Sequence, residues 1–399
     1  MLPVIDMTKE YGIVLEGGGA KGAYQIGAWK ALVEAGVKIK GIAGTSVGAL
    51  NGALMCMGDL ENAEEVWETI SYSRIMDVDD EKMAQLFNGE LGLAEALSDG
   101  LAFMTEGGVD ITPLKELIAK NIDEDAILAS PIELYVLTFC VDELKELDVD
   151  LKKVDKSLMK DFLLASAYLF PVFKNEKIRG KRYIDGGAIN NVPLGSLVDR
   201  GYKDIIMIRI YGVGREKKVK LPEDANLITV APRVQLGNII DFDSKKSRRN
   251  MKIGYYDAKR VIYGLAGKIY YIEENHEECY YLEQLLEIPH ISYEGLTASY
   301  HLSPKPRDSL RTLTEVVFPA LALEFKLGKY WTYRELYLAV LEATAKLCKV
   351  PKYCIYTVEE LKEKVIQRLR MLGKEDKEMM PAFIRFLDRD IEEENYNGK

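Results

Sequence analysis

The sequence predicts an α/β fold with a mainly parallel sheet, followed by a mostly helical C-terminal module. Two glycine-rich turns near the N-terminus, Gly17-Gly18-Gly19-Ala20-Lys21-Gly22 and Gly44-Thr45-Ser46-Val47-Gly48, each follow a short β-branched run and precede small and apolar residues at helical spacing. Further β-branched runs lie at Ile132 to Val141, 204 to 210 and 226 to 230, whereas beyond Ile272 strand signals thin out and helix starts become plain. Strands alternating with helices early, and helices alone late, describe a parallel-sheet domain with an appended helical unit.

Residues 12 to 16 read as a buried first strand. The helix after it, roughly 22 to 36, carries Ile26, Trp29, Leu32 and Val33 at helical spacing before Gly36 closes it. A second strand, Ile39 to Ala43, leads into the serine turn and another helix, so both strand-to-helix turns fall at the same edge of the sheet. From about Glu61 to Lys120 the pattern is mostly helical, with Thr112 and Pro113 as N-cap and first-turn pair ahead of Leu114, Leu117 and Ile118. The strand Ile132 to Val141 follows. Ser157 to Tyr168 reads as a helix running into Phe170-Pro171-Val172-Phe173, where the proline ends it. A basic loop then leads to a short strand, Arg182 to Ile184, and to Asp185-Gly186-Gly187. Residues 204 to 210 and 226 to 230 are two more buried strands, and a long basic helix spans roughly 243 to 263. The expected domains are therefore 9–272 and 273–399. In the second, Thr332 with Glu335 and Thr357 with Glu360 fit the capping box, and no motif there attaches to chemistry.

A chain of 399 residues suits a main domain plus one module. Its net charge of −10 argues against nucleic acid as main partner, because phosphate binding needs a basic field. Two local clusters run the other way: Lys174, Lys177, Arg179, Lys181 and Arg182, and Lys245, Lys246, Arg248, Arg249 and Lys252. Each is read either as a solvated face or as a peripheral contact with an anionic membrane surface. Cys56, Cys140, Cys279, Cys348 and Cys354 are odd in number and lack CxxC spacing, so neither a disulfide framework nor a zinc site is indicated, and reduced cytosol fits. The N-terminus has no basic region leading into an apolar run, so no signal peptide is expected. Residues 41 to 58 are uncharged, yet Gly41, Gly44, Thr45, Ser46, Gly48, Asn51 and Gly52 suit a buried strand, turn and helix better than a membrane span. The expectation is a cytoplasmic protein that touches membranes peripherally.

Glycines two residues either side of Ser46 permit a tight turn on which the serine sits exposed at a helix N-terminus, where the dipole favours developing negative charge. The triple glycine has several readings. Gly17, Gly19 and Gly22 satisfy the dinucleotide-binding spacing, but the second strand ends in Ala43-Gly44-Thr45-Ser46 without the carboxylate that would hold a ribose. A P-loop needs lysine after Gly22, and Ala23 stands there. An oxyanion hole, and plain tight packing, stay open. A serine nucleophile needs a base. His276, His290 and His301 all lie in the C-terminal module; a Ser-Asp-His order as in α/β-hydrolases is formally possible, although Ser46 sits earlier in its sheet than that fold places its nucleophile. Asp185 is the alternative: it follows a strand end and precedes two glycines, which brings a carboxylate to the sheet edge, where it serves either as a turn cap or as the base.

Taken in order, Gly17-Gly18-Gly19-Ala20-Lys21-Gly22, Gly44-Thr45-Ser46-Val47-Gly48 and Asp185-Gly186-Gly187 resemble the three signature blocks of patatin-like phospholipases. Ala165-Ser166-Ala167 with the following Pro171 and Phe173, and Asn190-Asn191-Val192-Pro193, add to the resemblance, which covers roughly residues 9 to 270. It implies a three-layer α/β/α sandwich and a lipid acyl hydrolase with a Ser-Asp dyad, using neither histidine nor calcium and no cofactor. By the same resemblance Ser46 is the nucleophile, Asp185 the base, and the Gly17, Gly18 and Gly19 amides the oxyanion hole; Lys21, Gly22, Gly44, Gly48, Gly186 and Gly187 complete the motifs. Lys21 stands where many members have arginine, and Glu16 where a frequent variant has aspartate. The partner implied is a lipid or other acyl ester. A lipid-binding or regulatory protein with negligible turnover on the same fold is the alternative.

Overall fold

The computed structural model describes residues 1–88, 108–169, 172–174, 176–288, 296–299 and 309–388. The chain divides into two compact units, Leu2–Tyr263 and Gly264–Lys399.

In the first unit the elements run β1 (Glu10–Leu15), α1 (Ala23–Ala35), β2 (Lys38–Thr45), α2 (Val47–Met57), α3 (Leu60–Glu68), α4 (Asp80–Asn88), α5 (Thr112–Asn121), α6 (Glu124–Ala129), β3 (Glu133–Cys140), β4 (Lys145–Asp150), α7 (Met159–Ser166), β5 (Tyr183–Asp185), α8 (Gly187–Asn190), α9 (Leu194–Val198), β6 (Asp204–Ile208), β7 (Asn226–Val230) and α10 (Ser244–Tyr263). The sheet order is β4-β3-β2-β1-β6-β7, with β5 on β3. The β1–β2, β2–β3, β1–β6 and β6–β7 pairs are parallel; β4 and β5 run antiparallel to β3. Fold class and sheet direction agree with the sequence reading.

Central strands of such a sheet are covered on both faces, hence their unbroken apolar runs. Side chains alternate. Val14, Ala43, Tyr135 and Met207 pack with Leu197 of α9 on one face. On the other, the absent side chain of Gly52 in α2 lets Ile42, Leu134 and Leu15 come within 3.1, 3.2 and 3.6 Å of where its Cβ would be. Helices therefore lie on both sides, giving three layers. α1 packs backbone to backbone on α10: a Cβ on Gly27 would stand 1.8 Å from the Met251 carbonyl oxygen, and one on Gly254 1.9 Å from that of Tyr24.

Two features differ from the sequence reading. β4 was not expected, because KELDVD carries charges at alternate positions; as an edge strand it leaves Lys145 and Asp148 exposed and Glu146 half-buried, and these charges also blunt the open edge. The helix before Phe173 ends at Ser166, while Phe170 and Pro171, the expected stop, lie outside the described residues.

The second unit holds β8 (Tyr271–Glu273), α11 (Glu278–Leu286), α12 (Phe318–Glu324), α13 (Tyr333–Leu347), β9 (Ile355–Thr357) and α14 (Val358–Arg370). β8 pairs in parallel with β9, which ties residues just before Ile272 to this unit. Both capping boxes, Thr332 with Glu335 and Thr357 with Glu360, are formed. Its core includes Tyr281, Phe318, Tyr337, Leu341 and Leu361. Among the described residues no helix is long and apolar enough to cross a membrane.

Candidate active site

The two ends of the sheet that carry chemistry meet on β3. β2 lies along one edge of β3 and pairs Thr45 with Leu137; β5 pairs Asp185 with Thr138, the next residue. β4 occupies the opposite edge. β2 and β5 therefore share an edge of β3, run toward each other, and stop head to head. Ser46 and Asp185, distant in sequence, end up side by side.

Ser46 has φ 56° and ψ −127°, a conformation an L-residue adopts only when its surroundings impose it. The turn is too tight for side chains at the flanking glycines: a Cβ on Gly44 would stand 2.3 Å from the Gly48 oxygen, and one on Gly48 2.4 Å from the Leu15 oxygen. The Ser46 N–H donates to Ser166 Oγ at 2.9 Å, and that hydroxyl donates to the Leu137 carbonyl at 2.6 Å. Ser166 is fully buried, so the strained turn is bolted to β3 through one side chain. Ser46 also stands at the N-cap of α2, where unpaired amides favour negative charge.

Asp185 is buried, its Oδ1 accepts the Gly187 N–H at 2.7 Å, and its carboxylate faces the same cavity as Ser46, near enough for the serine side chain to pull its pKa down. Burial pushes its pKa up to about 6, against the opposing pull of Ser46 and of the Gly187 hydrogen bond. Gly186 and Gly187 are needed for closeness: a Cβ on either would stand 2.5 Å from the Leu137 oxygen or 2.6 Å from Asn191 Oδ1, respectively.

The triple glycine is clamped from two sides. The Gly17 N–H donates to the Asn191 carbonyl at 3.0 Å, and Asn191 Nδ2 donates to the Gly17 carbonyl at 3.0 Å. The Ala20 N–H donates to the Ile239 carbonyl at 2.7 Å. Of the three amides expected to bind an oxyanion, that of Gly17 is thus committed to protein; among the described residues those of Gly18 and Gly19 meet no protein acceptor, and both residues line the cavity beside Ser46. Lys21 Nζ donates to the Tyr211 carbonyl at 2.6 Å, and burial lowers its pKa. A Cβ on Gly22 would come within 2.5 Å of Val47, which keeps the two turns in contact.

That cavity, of about 360 Å³, has a predominantly apolar wall including Leu50, Leu54, Trp67, Leu117, Ile118 and Phe242, with Ser46 and Asp185 exposed to it. Trp67 is set by a buried polar chain: its indole N–H donates to Asn51 Oδ1 at 3.0 Å, Asn51 Nδ2 donates to Gln25 Oε1 at 2.9 Å, and Gln25 Nε2 donates to the Glu16 carbonyl at 2.7 Å.

The unit holding Ser46 contains no histidine. His276 belongs to the second unit, with Nε2 2.6 Å from Glu359 Oε1; His290 and His301 lie outside the described residues. Sequence reasoning quoted Ser166 and Asn191 only as parts of motifs and gave them no role. Glu16 is a third such residue: its buried carboxylate accepts the N–H groups of Ile210, Tyr211 and Gly212 at 2.8, 3.0 and 3.2 Å and Arg209 Nε at 2.9 Å, shaping the loop that walls the glycine turn. Its partners are far along the chain, so no local signal marked it.

Residues 13–198 match the family model described as Patatin-like phospholipase. The patatin-like phospholipase domain-containing protein ZK370.4 of Caenorhabditis elegans is 27% identical over 203 residues, covering 49% of this chain and 13% of that protein. Lysophospholipase nte1 of Aspergillus terreus is 59% identical over 46 residues, 12% of this chain and 3% of that protein. The chain thus spans only a small part of the length of these relatives. Among solved structures, VipD from Legionella pneumophila aligns over 94% of this chain and 83% of its own, with 13% identity and a TM-score of 0.40. The stretch that carries both glycine turns, Ser46 and Asp185 thus falls within residues 13–198, which are similar to a patatin-like phospholipase domain.

Proposed function

We propose that the domain hydrolyses carboxylic esters of lipid acyl chains, with Ser46 as nucleophile and Asp185 as base. The observation that carries this reading is a serine in a strained turn, set beside a buried carboxylate at the wall of an apolar cavity that also presents two amides without protein acceptors among the described residues. The acyl chain occupies the cavity, where each buried methylene contributes about 0.8 kcal/mol. Ser46 Oγ bonds to the ester carbonyl carbon as its proton passes to Asp185. The carbonyl oxygen gathers the displaced electron pair and accepts hydrogen bonds from Gly18 and Gly19. Collapse breaks the bond to the alcohol, which leaves with the proton from Asp185. Water then gives a proton to Asp185 and attacks the acyl-serine; the acid departs, and Ser46 recovers its proton. These groups and water balance every step.

Ser46→Ala and Asp185→Asn are each expected to lower hydrolysis of a soluble p-nitrophenyl acyl ester by roughly 10³-fold or more while leaving the circular dichroism spectrum unchanged. Parent-like turnover by either folded variant overturns the assignment. A fluorophosphonate separates the hydrolase from a lipid binder on the same fold: covalent labelling of Ser46 is expected, and folded parent protein that stays unlabelled favours the binder. The preferred lipid emerges from product analysis on phospholipids, lysophospholipids and neutral glycerides.

A further inference from the structure

The cavity holding Ser46 meets the surface at the loop after β6. Val213 lines the cavity and yet is 74% exposed, so it stands at the mouth; Tyr211, two residues earlier, is 57% exposed. Tyr211 is held in place: its backbone has φ 48°, its N–H donates to Glu16, and its carbonyl accepts from Lys21. A large apolar residue kept exposed in a strained backbone needs a reason outside core packing.

The next residues supply one. Arg215, Lys217, Lys218 and Lys220 are exposed within six positions, in a chain whose net charge is −10. The one acid among them, Glu216, is taken by Arg209. Lys217 pairs with Glu146, but among the described residues Arg215, Lys218 and Lys220 have no acidic partner. The loop backbone is pinned to α8: the Arg215 N–H donates to the Gly187 carbonyl at 2.9 Å, and its carbonyl accepts the Asn191 N–H at 2.6 Å. The loop is therefore anchored at Arg215, two residues from Asp185 through Gly187, and the lysines follow directly from that anchor. Of the clusters singled out from sequence, the first has Arg179, Lys181 and Arg182 balanced by Asp161, Glu143 and Asp142; in the second Lys246 pairs with Asp241, and Arg248 and Arg249 donate to the Glu68 and Gln235 carbonyls.

We propose that segment 211–220 is where this domain seats on an anionic lipid bilayer, with Tyr211 and Val213 at the headgroup boundary and Arg215, Lys218 and Lys220 against anionic headgroups. An acidic protein would satisfy the charges alone. A bilayer also satisfies the apolar pair, because Val213 belongs to both the outer surface and the cavity wall, giving an acyl chain a continuous apolar path inward. What travels along that path rests on the hydrolase reading; the seat itself does not.

The test uses the full chain carrying Ser46→Ala, sedimented with vesicles of phosphatidylcholine alone or mixed with phosphatidylglycerol. Binding is expected to the mixed vesicles, to fall at least tenfold with Lys218→Glu/Lys220→Glu, in line with the contribution of each surface cation, and to fall with salt. Val213→Asp is expected to weaken it independently, whereas Arg179→Gln/Arg182→Gln leaves it unchanged. Equal binding to both vesicles, no binding to either, indifference to the 218/220 pair, or loss in the 179/182 pair instead, overturns the proposal. In chains with Ser46 intact, the 218/220 pair is expected to hydrolyse the soluble ester at the parent rate. A parent that fails on the soluble ester refutes the hydrolase reading, and vesicle binding by the Ser46→Ala chain still reports on the surface.

Discussion

Asp185 is poised between two demands: burial beside Ser46 raises its pKa to about 6, yet the role of base proposed for it requires it ionised. Activity on the soluble ester is therefore expected to fall on the acid side with an apparent pKa near that value, and a pH–rate profile checks it. The same shift acts on stability. In the folded state the carboxyl holds its proton up to about 6, but in the unfolded chain only to 3.8. The unfolded state thus binds fewer protons across that window, and stability falls as pH rises through it, by roughly 3 kcal/mol once both states are ionised. Asp185→Asn is expected to stabilise the inactive protein at neutral pH by up to that amount and to change little below the lower value; urea midpoints at the two pH values test this. Ser166 acts one step back, as a positioning residue. Ser166→Ala leaves the Ser46 N–H and the Leu137 carbonyl without their partner and is expected to lower kcat at least tenfold with KM nearly unchanged, at a stability cost of about 1–3 kcal/mol. An unchanged kcat means the turn holds its strain without it.

At the scale of elements, β3 is the splint on which the site is assembled, and α1 against α10 is a contact with no room for a side chain at either glycine. Gly254→Ala tests the latter with opposing forces. Helix propensity alone favours alanine by about 1 kcal/mol, whereas the Tyr24 carbonyl stands 1.9 Å from the new Cβ. Net destabilisation of about 1–3 kcal/mol is expected in urea unfolding. A stabilised variant means the two helices part without penalty.

At the scale of the whole molecule, the overall acidic charge and the local basic loop are separate facts. The first argues against nucleic acid as the main partner by average field, and the second depends on which cations have acids beside them. Sequence clusters of lysine and arginine say nothing of that pairing. The strongest run by eye, residues 174–182, is largely balanced by Asp161, Asp142 and Glu143, whereas the quieter 215–220 keeps several charges free of acidic partners among the described residues.

Legibility follows range. The strand-turn-helix units, the capping boxes and the need for glycine about Ser46 and after Asp185 are local consequences of backbone geometry, so residue order alone determined them. The elements that arrive from a distance were not legible: β4, whose charges mask an edge strand; Glu16, whose carboxylate is satisfied by amides some 194 residues on; and the Gly17 amide, withdrawn from the expected oxyanion set by Asn191. Only the tertiary structure decided that β2 and β5 stop head to head on β3, since strand register is chosen by packing across the sheet and not by the strands themselves. That register brings Asp185 to the side of Ser46, and the burial that comes with it raises the pKa of its carboxylate.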